Sequence, residues 1–219
     1  DICSKNNIPV ISFQHGVTKE ICSSHSEISA GYEVNSSDYF IGFNKNSINA
    51  ANLSHFAIAK TFISGMSARH LRMENFKAKK KITLPIVYVS THLYKGNMGA
   101  FNTNMTDFEK AKWEHNLLIK VFRKLPHRVR YKKYPEENSR YPDQDPVMDS
   151  VEGNIEMYDK KIDMRFLIGQ HQVIVTSEAT STLGWLMLSG YPIIFINSHH
   201  EAPLLDNAYE SFKKALFLF

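Results

Sequence analysis

Val173-Ile174-Val175-Thr176-Ser177-Glu178-Ala179-Thr180-Ser181-Thr182-Leu183-Gly184 is the stretch that decides the fold. A strand-forming run passes through a turn of small and hydroxyl residues into a helical pattern, from about Ser181 to Ser189, that Gly190 ends. Ile193-Ile194-Phe195-Ile196 then reads as the next strand. Apolar strands alternating with amphipathic helices imply a parallel sheet covered by helices.

The same rhythm extends outward. Before the deciding stretch, a helix is expected from about Glu156 to His171. Further upstream, Pro85 to Ser90 reads as a strand, a Gly/Asn-rich loop spans about 95–105, and Thr106-Asp107-Phe108-Glu109 has the capping-box form. Trp113, Leu117, Leu118, Val121, Phe122 and Leu125 recur at helical spacing, Pro126 stops that helix, and Val129 to Lys132 is a short basic strand. After the deciding stretch, Ala208 to Phe219 is a helical pattern without a cap. An earlier series comprises strands at Ile8–Phe13, Asp38–Gly42 and Thr61–Gly65, with a helix from Ser47 to Lys60. The polar, basic residues 67–81 read as a connection. The expected division is 1–66 as the end of an N-terminal α/β domain, 67–81 as a linker, and 82–219 as a Rossmann-like domain. Asp1 and the uncapped end suggest a piece of a longer protein.

Composition narrows the class. Of 219 residues, 43% are hydrophobic and 22% charged, which excludes a disordered tail, a collagenous repeat and a disulfide-stapled miniprotein. Lys and Arg number 26 against 22 Asp and Glu, a net charge of +4 that does not by itself argue for nucleic acid. The basic stretch 120–133 carries no aromatic stacking motif, so no nucleic-acid partner is expected. Cys3 and Cys22 form no CxxC or zinc spacing; a reducing, cytoplasmic compartment is the expectation. No apolar run approaches the roughly 20 residues of a membrane span.

Ligands of open α/β sheets bind outside the carboxyl ends of strands, so the strand-to-helix turns are the places to search. The turn Ser177–Thr182 offers hydroxyls and backbone amides suited to phosphate, although a helix cap would also use one hydroxyl. No GxxxxGK[ST] or strand-following GxGxxG occurs. Gln14-His15-Gly16 follows a strand; glycine permits close approach, and His15 can donate to phosphate or act as a base, or else be structural. Lys132-Lys133-Tyr134-Pro135 places cations at a strand end, with a solvated face as the alternative. Arg140-Tyr141-Pro142-Asp143-Gln144-Asp145-Pro146 follows in an acidic stretch. His199-His200-Glu201 offers adjacent histidines that do not face one site, so no metal is expected.

Together these segments resemble the second half of bacterial GT-B-type transferases of surface-polysaccharide synthesis, including CDP-glycerol glycerophosphotransferases and the Kdo transferases of capsule and O-antigen (lipopolysaccharide) assembly. The resemblance rests, in order, on Gln14-His15-Gly16, the strand Ile86–Val89, the lysine-proline turn 132–135, and Ser177 to Leu183 with the strand entry Ser189-Gly190-Tyr191-Pro192-Ile193. Two positions depart: many relatives have His-Pro where Tyr134-Pro135 stands, and Glu178 matches their acidic position only loosely. The resemblance implies a two-domain GT-B enzyme, a glycosyltransferase using a nucleotide sugar, with CMP-Kdo a candidate donor. Glycerophosphate transfer from CDP-glycerol and a non-catalytic nucleotide- or sugar-binding module are the alternatives. Ser177, Glu178, Ser181 and Thr182 would bind nucleotide and phosphate, Lys132 or Lys133 would neutralise charge, and His15 would be catalytic. Gln14, Gly16 and Arg140 are candidate substrate contacts. No cofactor or metal is implied; the partners are the nucleotide-sugar donor and a glycan or lipid-linked acceptor, with peripheral association at the inner membrane face.

Overall fold

The computed structural model describes residues 2–22, 26, 29–74, 84–90, 106–134, 147–158, 160–198 and 203–219. A short helix α1 (Ile2–Lys5) leads to a three-stranded parallel sheet of β1 (Ile11–Phe13), β2 (Tyr39–Gly42) and β3 (Lys60–Ile63), in that order. Helix α2 (Lys45–Asn52) joins β2 to β3. Asn44 starts it: the Asn44 side chain accepts from the Ser47 amide, and the Ser47 hydroxyl accepts from the Asn44 amide. The helix ends at Asn52 instead of continuing to Lys60, because the chain turns at Ser54–Ala57 and Lys60 already pairs with Tyr39 in the sheet.

Helix α3 (Ala68–Glu74) occupies part of the segment read as a connection. A six-stranded sheet follows: β4 (Ile86–Val89), β5 (Val129–Lys132), β6 (Ile155–Tyr158), β7 (Val173–Thr176), β8 (Ile193–Phe195) and β9 (Phe217–Leu218). Every pairing is parallel, and the order is β6-β5-β4-β7-β8-β9. Successive strands step outward from β4 on one side, then restart at β7 on the other. That order is compatible with the Rossmann arrangement, whose switch point lies between the two central strands. The protein is thus α/β with two parallel sheets.

Alternating strand residues feed two cores. Val87, Val89, Ile174, Ile193 and Phe195 pack with Leu183 and Leu186 of α5 (Ser181–Met187) and with Ala208 and Phe212 of α6 (Asp206–Phe212). Tyr88, Val129, Tyr131, Ile155 and Val175 pack under α4 (Asp107–Lys120). The capping box expected at Thr106 is present, with Thr106 and Glu109 each satisfying the other's backbone amide.

Two further expected helices differ. The stretch 156–171 is strand β6 and two 3-10 turns, Met164–Phe166 and Ile168–Gln170. The edge of β5 offers backbone partners to Ile155–Tyr158, and Asp163 accepts from the Arg165 amide, which starts a separate turn. The second difference is 208–219: α6 stops at Phe212, and the chain extends so that Phe217 and Leu218 pair with Ile194 and Phe195. In both places the apolar spacing suits a helix, but an open sheet edge supplies hydrogen bonds that outweigh local preference.

Candidate functional site

The carboxyl ends of β4, β5 and β7 carry a buried polar network on the α4 side. The Tyr131 hydroxyl lies 2.9 Å from Glu114 Oε2 and 3.1 Å from Ser90 Oγ. The Tyr88 and Ser177 hydroxyls are 3.4 Å apart. Lys110 Nζ sits 3.5 Å from Glu178 Oε2, and both side chains are at most 5% exposed. Lys110, Ala111, Glu114 and Leu118 form the buried stripe of α4, so the helix delivers two charges to the point where β4 and β7 diverge. The pairs cross from helix to strand end, tying Ser90, Ser177 and Glu178 around the switch point.

Of the residues singled out in the sequence, Ser177 and Glu178 are buried, Thr182 is half-buried and Ser181 is exposed. Thr180 is the residue before α5, and its side chain makes no capping hydrogen bond. Across from this turn stands the end of β1. Gly16 adopts φ +73°, a left-handed conformation that favours glycine, and a Cβ there would lie 3.6 Å from Ser181 Cβ. Val17 packs so closely on Gly184 that a Cβ at 184 would lie 2.3 Å from Val17 Cγ2. One helical turn separates Ser181 from Gly184, so residues 16–17 dock along one face of α5.

The turn 14–16 is held from behind. Gln14 Nε2 donates to the Gly16 carbonyl at 3.1 Å, and Gln14 Oε1 accepts from the Phe43 amide at 2.9 Å. The His15 amide donates to Glu33 Oε1 at 2.6 Å, and Glu33 Oε2 meets Lys19 Nζ at 2.7 Å. Lys19 also donates to Ser29 Oγ at 2.7 Å. Glu33 and Lys19 are both 1% exposed. A buried ion pair thereby clamps the backbone of His15, whose own ring is exposed and meets Tyr32 edge-on at 6.1 Å. Gln14 is engaged within the chain through both ends of its amide.

The lysine turn lies elsewhere. Lys132 is on the sheet face opposite Tyr131, where its ammonium donates to the carbonyls of Lys133 at 3.0 Å and Lys160 at 3.4 Å, and lies 5.6 Å from the centre of the Tyr158 ring. Burial pushes its pKa down, and the negative charge of Asp163 works against that. Because β4 stands between β5 and β7, the ends of β5 and β7 are about 10 Å apart. Among the described residues no contact joins His15 to Lys132 or Lys133. Arg140, Pro135 and His199-His200-Glu201 lie outside the described residues. Among the described residues no group of three His, Cys, Asp or Glu side chains could hold a metal, and no helix is long and apolar enough to cross a membrane.

Several charged residues of these networks escape a reading by periodicity. Lys110 and Glu114 are four apart and share the stripe of Ala111 and Leu118; charges in core slots of an amphipathic helix are the available signal. Lys19 and Glu33 sit in a stretch with no periodic pattern. Arg130 and His171 form a third group beneath β5. Arg130 Nη1 donates to Gln170 Oε1 at 3.1 Å and approaches His171 Nε2 at 3.3 Å, while its Nη2 pairs with Glu156 at 3.1 Å. Complete burial, helped by Arg130, lowers the His171 pKa to about 4, so it stays neutral.

A scan against protein-family models finds no match, and a search of curated proteins finds none.

Proposed function

We propose that this chain carries the nucleotide-donor site of a GT-B-type glycosyltransferase that moves a sugar, with CMP-Kdo a candidate donor, onto a bacterial surface polysaccharide. The observation that carries the reading is the docking of the Gln14–Gly16 turn against Ser181, beside the switch point of the six-stranded sheet. The Gln14–Gly16 turn thus stands beside the turn that follows β7, at the carboxyl end of a strand next to the switch point, where open α/β sheets bind ligands.

In this reading Ser177, Ser181 and Thr182 donate to the donor phosphates. Glu178, its charge met by Lys110, accepts from nucleotide hydroxyls, since an anion beside phosphate would be repelled. Of the lysine pair, Lys133 is the one left to face the negative charge that grows on the leaving phosphate, because the Lys132 ammonium is held by the carbonyls of Lys133 and Lys160. His15, exposed but with its backbone clamped by Glu33, acts on the reacting groups, and Gly16 contacts substrate. Fixed donors at such a point lower a barrier by about 3–4 kcal/mol each, because they need no reorganisation as charge develops.

Titrating the protein with CMP, CDP, UDP and GDP by calorimetry, then assaying transfer from the activated donors, tests this. Replacing Ser181 and Thr182 together by Ala should weaken nucleotide binding by about 1–3 kcal/mol, the cost of losing hydrogen bonds to a charged group. Glycerophosphate transfer from CDP-glycerol would replace the sugar donor. Nucleotide binding without any transfer would make the chain a binding module, and no nucleotide binding would sink the proposal.

A further inference from the structure

Helix α3, which follows the three-stranded sheet, meets helix α5 of the six-stranded unit through a ring stack. The His70 imidazole lies flat on the Trp185 ring, with centroids 4.0 Å apart and 1° between the planes. Phe43 meets the same imidazole edge-on at 6.1 Å. His70 and Trp185 are each 7% exposed, so the contact excludes water. His70 Nδ1 lies 2.7 Å from the hydroxyl of Ser67, at the start of α3. Its Nε2 is buried without a hydrogen-bond partner.

A neutral imidazole suits this slot and an imidazolium does not. When Nδ1–H donates to Ser67, the neutral ring leaves Nε2 a bare acceptor, whereas the charged ring carries N–H at both nitrogens. The Nε2–H of the charged ring would be a buried donor with no acceptor. The surrounding charges oppose it too. Among the described residues, Arg69 and Arg72 belong to the same helix, and the Arg165 guanidinium lies 5.5 Å from the centre of the Trp185 ring. The π system that would attract an imidazolium therefore already holds a cation. Glu20 lines the same cavity as His70, but its Oε1 accepts from Asn44 Nδ2 at 2.6 Å, and it makes no hydrogen bond to His70 Nε2. Asn46 of α2 and Asn207 and Ser211 of α6 line that cavity without charge. We propose that the His70–Trp185 stack is a pH-released latch: neutral His70 holds α3 on α5, and protonation frees the ring into water and loosens the junction between the two sheets. Burial and the neighbouring Arg69 hold His70 below the usual histidine pKa. The latch therefore contributes fully above about pH 6.5 and is lost as pH falls through the lower folded value. Trp185 lies one helical turn after Ser181, so the latch bears on the helix beside the donor crevice without depending on what binds there.

The chain has two tryptophans, so the test uses the full chain with Trp113→Phe, in which Trp185 alone emits. From pH 7.5 to 5, Trp185 emission should move to longer wavelength with a midpoint below about pH 6.5. Hydrogen-exchange protection factors in α3 should fall at least about tenfold over the same range, while those of β4 and β7 hold. His171 does not interfere, because its pKa is about 4. His70→Phe keeps a flat ring that takes no proton and should abolish both changes. Should that variant fail to fold, NMR titration of the His70 ring in the parent chain decides, with a midpoint below about pH 6.5 expected. Unchanged emission and exchange down to pH 5, the same transition in His70→Phe, or a His70 midpoint at or above pH 6.5 would each overturn the proposal.

Discussion

Among the described residues, the six-stranded sheet is covered on both faces and the three-stranded sheet on one. In the first, side chains alternate into two separate cores beneath α4 and beneath α5 and α6. In the second, Phe40 packs under Ala30, Val34, Ile48 and Ala51. Its opposite face carries Ile11, Phe13 and Phe62, each more than half exposed, with Tyr39 and Ile41 between them. Parallel sheets draw their stability from burial on both sides. The smaller sheet therefore leans on other devices: the buried Lys19–Glu33 pair, and the docking of residues 16–22 on the larger unit. That docking includes Val17 on Gly184, a bridge between Cys22 and Leu204, and the Leu205 amide donating to the Ile21 carbonyl at 2.8 Å. One unit is held by apolar area, the other by charge and attachment.

The strongest way to break this contrast is Glu33→Gln. It leaves the Lys19 ammonium buried without its counter-charge, and breaking such a pair costs about 3–5 kcal/mol. Hydrogen exchange should show β1–β3 losing protection while β4, β5 and β7 keep theirs. Uniform loss across both sheets would mean that they unfold as one unit.

Acid should act on the larger sheet instead. His171 binds a proton near pH 6.5 when unfolded but only near pH 4 when folded. Its contribution to stability is therefore complete above about pH 6.5 and is lost as pH falls toward 4. The loss reaches about 3 kcal/mol across that window. Denaturant midpoints measured from pH 7 to 4 check it, and His171→Leu should flatten that part of the profile.

Gly184→Ala probes the attachment. A methyl there meets the stiff Val17 side chain, and forced overpacking costs about 1–3 kcal/mol, partly offset by the better helix propensity of alanine. Adding Val17→Ala should recover part of the loss, so the double variant should cost less than the two changes summed. Strict additivity would place Val17 away from α5 in solution.

The smallest effect belongs to the bare face. Phe62→Thr should change stability by no more than about 0.5 kcal/mol and raise solubility, because it removes exposed apolar surface. A loss near 2 kcal/mol would show that this face is covered in solution.

Much of this architecture was legible in residues close together in the chain. Ile86–Val89 and Val173–Thr176 are continuous apolar runs because they are buried on both sheet faces, and Thr106 with Glu109 announces a helix start through bonds three residues apart. The glycine of Gln14-His15-Gly16 and the turn 177–182 stand out for equally local reasons, and the structure sets Gly16 beside Ser181. Sequence by itself thus determined the α/β class and the places where strands give way to turns.

Only the tertiary structure decided the strand order, the docking of residues 16–17 on α5, and the pairings Lys19–Glu33, Lys110–Glu178 and Arg130–Glu156. The physical reason is range. Periodicity and capping record what a residue does with neighbours a few positions away, but a buried charge is settled by its counter-charge. Lys110 and Glu178 are far apart in the chain and meet only once β4 and β7 lie side by side. The same holds for β6 and β9, where local spacing favours helix and a waiting sheet edge decides for strand.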